Sequence, residues 1–338
     1  GNLSVAAGIH VKNRSGIRRG SSMHITNSMI NKEVRNTGKK MRFLMPYFTE
    51  RKFRQINKIM KLMKHKNFSN KLKMEEIYLP RTDGSRLRIV IYLPKKDLQE
   101  DVIGVCWIHG GGYAIGIPEQ DFAFAEILEE AKDCVIFMPD YRLSTEAPYP
   151  AAFEDCYASL VYMKEHACEY HIRTDQIFTG GDSAGGGLCV AIDLKARDTK
   201  EVNIAFSMPL YPMLDAGSTR TNANNDAPVW NTRSNLAGWH LYLKNQIADK
   251  YASPALEEDL SFFPPTFTFV GTIEPFYAET KAFTEKLKEA DVPLFFKEYE
   301  GCFHAFDILC PDSALAKDAR LQMQEAFVYA GEHYFQEN

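Results

Sequence analysis

The chain has 338 residues, 45% of them hydrophobic and 25% charged, which is enough apolar content for one large buried core. Seven scattered cysteines without C-x-x-C spacing argue against a disulfide framework and predict reduced thiols in a cytoplasmic protein. No apolar run approaches a membrane span; the best, at 102–108, has the length of a strand. The net charge of −4 hides a strong asymmetry. Residues 1–73 hold 18 Lys and Arg against only Glu33 and Glu50, whereas the remainder has 22 basic and 42 acidic residues. Such a segment is either an arm for nucleic acid or a membrane surface, or a basic layer packed on an acidic body. It carries no nucleic-acid motif. The second reading is the expectation, with neither a nucleic-acid partner nor stable membrane insertion.

In chain order, residues 1–50 show weak periodicity and predict irregular structure or a short helix. Between 51 and 65, Phe53, Ile56, Ile59, Met60 and Met63 recur at helical spacing among Lys and Arg. A helix covering a core or the wall of a pocket is expected there. The alternation of Leu87, Ile89, Ile91 and Leu93 predicts a strand, antiparallel to a run near 77–79 across an Asp83-Gly84 turn. Strand and helix signals then alternate. Strands are expected at 102–108, 135–138, 176–179, 204–210, 266–270 and 294–299. Helices are expected at 122–132, 153–166, 188–196, 277–289 and 313–334. This pattern predicts an α/β fold with a mostly parallel sheet flanked by helices. Residues 213–248 interrupt the alternation where an active-site lid would lie. The expected organisation is a basic N-terminal cap segment (1–75) and a catalytic domain (76–338) carrying that insertion.

Two glycine motifs carry chemistry. Gly181-Asp182-Ser183-Ala184-Gly185 fits G-x-S-x-G, a strand-to-helix turn that lifts a serine hydroxyl clear of a sheet. His109-Gly110-Gly111-Gly112 follows the 102–108 strand and matches the loop that lends backbone N–H groups to an oxyanion. A dinucleotide loop starting at Gly110 would need glycine at 115, where Ile115 stands, so no such cofactor is expected. His109, heading the loop, is expected to brace it.

A serine nucleophile needs a base and an orienting acid, in the chain order serine, acid, histidine. Only His240, His304 and His333 follow Ser183. His240 falls in the lid and His333 in the closing helix, so His304, in the loop after the last strand, is the expected base. Glu274 follows the 266–270 strand and is the expected acid, with Glu279 as the alternative. Cys302, His304 and Cys310 lack a fourth ligand and zinc-type spacing, so no metal is expected. Tyr113, closing the glycine loop, and Tyr211, just past the 204–210 strand, are expected to touch substrate.

These motifs, together with Asp140-Tyr141-Arg142-Leu143-Ser144-Thr145-Glu146, occur in an order that resembles the hormone-sensitive-lipase-like family of α/β-hydrolases over roughly residues 75–335. The resemblance implies an α/β-hydrolase fold and a Ser183–His304–Glu274 triad, although many members carry Asp at the Glu274 position. It also implies an oxyanion hole from the N–H groups of Gly111, Gly112 and Ala184. The implied activity is hydrolysis of small-molecule carboxylic esters with short to medium acyl chains, without cofactor. Two other functions use similar motifs: a non-catalytic ligand receptor on the same fold, and a serine peptidase. The presence of His304 argues against the first, and the adjoining glycine loop against the second.

Overall fold

The computed structural model describes residues 24–217 and 225–338. The expectation for the first 23 residues and part of that for 213–248 therefore fall outside the described residues. β1 (Leu72–Pro80) and β2 (Arg86–Pro94) form the expected antiparallel hairpin. They are followed by β3 (Val102–Ile108), β4 (Cys134–Pro139), β5 (Ile172–Asp182), β6 (Phe206–Leu210), β7 (Thr266–Gly271) and β8 (Leu294–Tyr299). All eight join one sheet in the order β1-β2-β4-β3-β5-β6-β7-β8. Strand β2 runs antiparallel to both neighbours, and from β4 to β8 every pairing is parallel.

Parallel strands joined by helical crossovers are covered on both faces, so alternate side chains feed two different cores. Val105 and Trp107 of β3 join one apolar cluster with Ile136 and Met138 of β4, while Cys106 and Ile108 join the other with Val135 and Phe137. Helices α3 (Phe122–Ala131) and α9 (Ala314–His333) close the first core. Helices α4 (Ala151–Glu165) and α5 (Ala184–Thr199) close the second. Helix α7 (Tyr277–Glu289) packs Phe283 and Leu287 against Val190 and Leu194 of α5. A short turn, α8 (Phe306–Leu309), leads into α9.

Strand β2 differs from a half-exposed alternating strand. Its intervening residues Val90 and Tyr92 are fully buried, and even Arg88 is nearly so. A guanidinium there is tolerable only if its charge is answered. Glu119 accepts from both terminal nitrogens at 2.8 and 2.9 Å, and Asp140 accepts from Nε at 3.1 Å.

The N-terminal segment is built into the fold at several points. Helix α1 (Arg35–Leu44) packs Gly38 so closely on Phe303 that a Cβ there would lie 2.9 Å from the ring. The Asn31 N–H donates to Gly301 O at 2.8 Å, tying the segment to the loop that carries His304. Helix α2 (Glu50–Met60) is amphipathic, but its stripe divides. Phe53 is fully buried, Ile56 and Met60 pack against the second core, and Ile59 is 65% exposed. At about 100° per residue, Ile59 lies about 120° around the helix from Phe53, outside the covered face. Helix α6 (Thr232–Leu243), from the insertion, lies beside α2. Ser234 Oγ accepts from the Phe48 N–H at 2.8 Å, and Asn231 donates to Pro46 O at 2.7 Å. Of the basic residues in this segment, Lys64 meets Asp140 at 3.0 Å and Arg42 meets Asp226 at 3.9 Å. Among the described residues, no helix is long and apolar enough to cross a membrane.

Candidate active site

Ser183 stands between β5 and α5 with φ 58° and ψ −119°, a backbone conformation that costs a non-glycine residue about 1–3 kcal/mol. The turn is held by its surroundings. Ser183 N–H donates to Leu210 O, and Ser183 O accepts from Gly187 and Met213, each at 3.0 Å. Two glycines make the crossing possible. A Cβ on Gly185 would lie 2.0 Å from Ile108 O, and one on Gly181 would lie 2.4 Å from Gly185 O. Helix α5 therefore starts directly at Ala184, against the end of β3.

The three polar side chains expected to act together are in line. Ser183 Oγ lies 2.7 Å from His304 Nε2, and His304 Nδ1 lies 2.7 Å from Glu274 Oε1. With Glu274 accepting the Nδ1 proton, Nε2 is left to accept from the serine. All three residues are buried, Ser183 being 7% exposed. Burial pushes the Glu274 carboxyl above its ordinary range, and the adjoining imidazole opposes that shift. Glu279, the alternative acid, lies elsewhere. Its Oε2 accepts the N–H groups of Leu214 and Asp215 at 2.6 and 2.8 Å, holding the chain that leaves β6.

The glycine loop turns beside this line. Gly111 has φ 130° and Gly112 φ 59°. Among the described residues their N–H groups donate to no protein acceptor, whereas Gly111 O accepts from Ala114 and Ile115. Ala184 is the first residue of α5, so its N–H has no intrahelical acceptor either. These are the three N–H groups that the resemblance assigns to an oxyanion hole.

His109 lies within the loop's support. Its ring stacks on Tyr141 at 4.3 Å, its Nδ1 is 2.7 Å from Gly110 O, and burial lowers its pKa. Tyr141 also donates to His109 O at 2.8 Å, and Gln120 to Gly110 O at 3.0 Å.

Tyr113 and Tyr211, expected to touch substrate, are buried beneath the site instead. The Tyr113 ring stacks on Tyr242 at 3.8 Å, and its hydroxyl donates to Met213 O at 3.1 Å. Tyr211 packs edge-on against His304, with ring centres 4.9 Å apart. Both residues have positive φ (64° and 33°), and both rings are buried in packing contacts.

Several contributors left no pattern in the sequence. Trp230, from the insertion, lies against the loop so closely that a Cβ on Gly112 would be 2.5 Å from its ring. Phe48 and Phe53 lie 5.7 and 6.4 Å from the same indole, and His304 lies 6.5 Å from it. Below the loop, Asp121 accepts from Trp107 Nε1 at 2.9 Å, and burial pushes its pKa up to about 6. Asp182 beside it is raised by the same cause and by Asp121 itself.

Asp307, behind Tyr211, is pushed by burial to about 7. A carboxyl with a raised folded-state pKa keeps its proton while the unfolded chain has already lost it. Its contribution to stability is therefore lost as pH rises from about 4 to about 7. Asp307→Asn is expected to make unfolding less pH-dependent. Relative to the parent, the variant should gain roughly 2 kcal/mol between about pH 5 and pH 8, read from urea midpoints.

This arrangement of a buried serine on a strained turn, an imidazole and a carboxylate belongs to the serine hydrolases on an α/β sheet. The profile of a family described by the α/β-hydrolase fold matches residues 105–308, and the chain belongs to that family. The chain is similar to an arylesterase of Saccharolobus solfataricus, 30% identical over 241 residues that span 70% of this chain and 75% of the relative. An acetyl esterase of Salmonella paratyphi B is likewise 30% identical over 234 residues, 64% of this chain and 71% of the relative. A bacterial heroin esterase superposes with a TM-score of 0.81 at 26% identity, covering 91% of this chain and 99% of its own.

Proposed function

We propose that the protein is a serine carboxylesterase in which Ser183 is the nucleophile, His304 the base and Glu274 the orienting acid. The observation that carries this reading is the unbroken hydrogen-bonded line from Ser183 Oγ through His304 to Glu274. As Ser183 attacks an ester carbonyl, its proton passes to His304 Nε2, and Glu274 stabilises the imidazolium that forms. The carbonyl oxygen becomes an oxyanion facing the N–H groups of Gly111, Gly112 and Ala184. His304 then protonates the departing alcohol, leaving an acyl group on Ser183. Water, deprotonated by the same imidazole, displaces that group as the free acid.

A short to medium acyl chain is the substrate that the resemblance implies, and the apolar side chains by the glycine loop suit one. Trp230 packs against Gly112, and the rings of Phe48 and Phe53 lie beside its indole. The intact Ser183–His304 pair disfavours a non-catalytic receptor. A peptidase reading has no separate observation in its favour. Six of the seven cysteines are buried free thiols, which supports a reducing, cytoplasmic setting.

A panel of p-nitrophenyl esters tests this directly. Acetate to octanoate esters should turn over without added metal or cofactor and be unaffected by EDTA. A hexadecanoate ester should fall at least about tenfold below them in kcat/KM, since each decade corresponds to about 1.4 kcal/mol of transition-state binding. Turnover of peptides in preference to every ester would favour the peptidase.

A further inference from the structure

A groove of about 530 Å³ runs between α2 and the β1–β2 turn, and none of Ser183, Glu274 or His304 lines it. Its volume is that of a small-molecule site, but its walls are cationic. From α2 and the turn after it come Arg54, Lys58, Lys61 and Lys64; from the sheet side come Arg81, Arg86, Arg88 and Arg142. Among the described residues, only Asp140 and Glu146 line it as acids.

Most of these cations are already answered. Arg88 has Glu119 and Asp140, Arg81 and Arg142 share Asp155, Lys64 meets Asp140, and Arg54 meets Glu50 at 2.7 Å. Lys58, Lys61 and Arg86 are exposed and form no ion pair among the described residues. The Arg86 guanidinium lies over the Tyr78 ring, 4.8 Å from its centre.

Arg54, Lys58 and Lys61 recur at helical spacing on the wall of the groove. Like charges three and four apart destabilise a helix by a few tenths of a kcal/mol per pair. Lys58, Lys61 and Arg86 line one groove without an ion-pair partner among the described residues, so an anion bound there would relieve their mutual repulsion.

The groove also touches both ends of the glycine loop. Asn57, on its α2 wall, donates to Ala114 O at 2.7 Å and accepts from the Gly116 N–H at 3.2 Å, at the loop's exit. Tyr141, also lining the groove, donates to His109 O at 2.8 Å, at the loop's entry.

We propose that this groove is a binding site for a small anion carrying two or more phosphate groups, held by Lys58, Lys61 and Arg86. Its occupant bears on the glycine loop through Asn57 and Tyr141. Two lysines supply point charges, and the arginine supplies a planar fork that matches phosphate oxygens. An uncharged ester has no use for such walls.

Titration calorimetry with inorganic pyrophosphate tests the site without relying on the esterase reading, because Ser183→Ala protein should bind it equally well. The combined variant Lys58→Gln, Lys61→Gln, Arg86→Gln should bind roughly a hundredfold more weakly, about fivefold for each exposed charge removed. Its circular dichroism should match the parent's, and each single variant provides a milder check. Parent binding should also weaken between about 0.02 and 0.3 M NaCl, as screened charges require.

No heat at millimolar pyrophosphate, equal affinity in the triple variant, or tighter binding of hexaglutamate would each overturn the assignment. One arm does rest on the esterase reading. Saturating pyrophosphate should change kcat on p-nitrophenyl acetate at least about twofold in the parent and not in the triple variant. An unchanged kcat in the parent, with binding present, would refute the coupling to the loop.

Discussion

Ser183→Ala is expected to lower kcat on a p-nitrophenyl ester by roughly 10⁴- to 10⁶-fold while the protein stays folded. The size follows from what is removed. Without the hydroxyl there is no acyl-enzyme, and the two-step route through a covalent intermediate is lost. The residual rate over solution comes from the oxyanion donors and binding. The fold should tolerate the change because the residue's backbone bonds to Leu210, Gly187 and Met213 do not use the side chain. Far-UV circular dichroism and the urea midpoint check that point, and a burst-free, near-background progress curve checks the kinetics. Turnover within about tenfold of the parent would mean that another group attacks.

Glu274→Gln is expected to cost about 10²- to 10⁴-fold in kcat with a smaller change in KM. A neutral amide cannot stabilise the imidazolium that forms as Ser183 attacks, and its NH₂ group can present a donor where the His304 Nδ1–H needs an acceptor. The wrong tautomer then puts a proton on Nε2, facing the serine. Glu279→Gln makes a useful contrast. Its carboxylate holds the N–H groups of Leu214 and Asp215, not the imidazole. That variant should lose about 1–3 kcal/mol of stability and stay within about tenfold in kcat. Steady-state kinetics and urea unfolding on both variants separate an electrostatic role in catalysis from a structural one.

Much of the fold is legible from residue spacing, for identifiable reasons. A parallel strand buried on both faces appears as a continuous apolar run, as β3 does at 102–108, and the expected bounds 277–289 and 294–299 also coincide with α7 and β8. Glycine requirements are also written in one dimension. A backbone oxygen 2.0 Å from where a Cβ would stand leaves only one residue type at Gly185, and that produces a readable motif. The same glycines hide the start of α5. Gly185 to Gly187 carry no apolar period, so the spacing places the helix start at 188 although it begins at Ala184.

Residues that act through tertiary contact leave no such trace. Trp230 lies against both Gly112 and Phe53, and no spacing rule links positions 53, 112 and 230. Tyr113 and Tyr211 adjoin the right motifs, but their rings are buried against Tyr242 and His304, which the residue type does not announce. The surplus of positive charge near the N-terminus is visible from composition. Its division into cations paired with the body and lysines facing a groove depends on the fold.

The most direct test of the central claim is mass spectrometry of the protein after treatment with diethyl p-nitrophenyl phosphate. The Ser183 oxygen should displace p-nitrophenolate and leave one diethylphosphoryl group per chain, mapped to the peptide containing Ser183. Esterase activity should fall in proportion to labelling, and Ser183→Ala protein should remain unmodified. A stoichiometric adduct on another residue, or full activity in fully labelled protein, would contradict the assignment of Ser183 as the nucleophile.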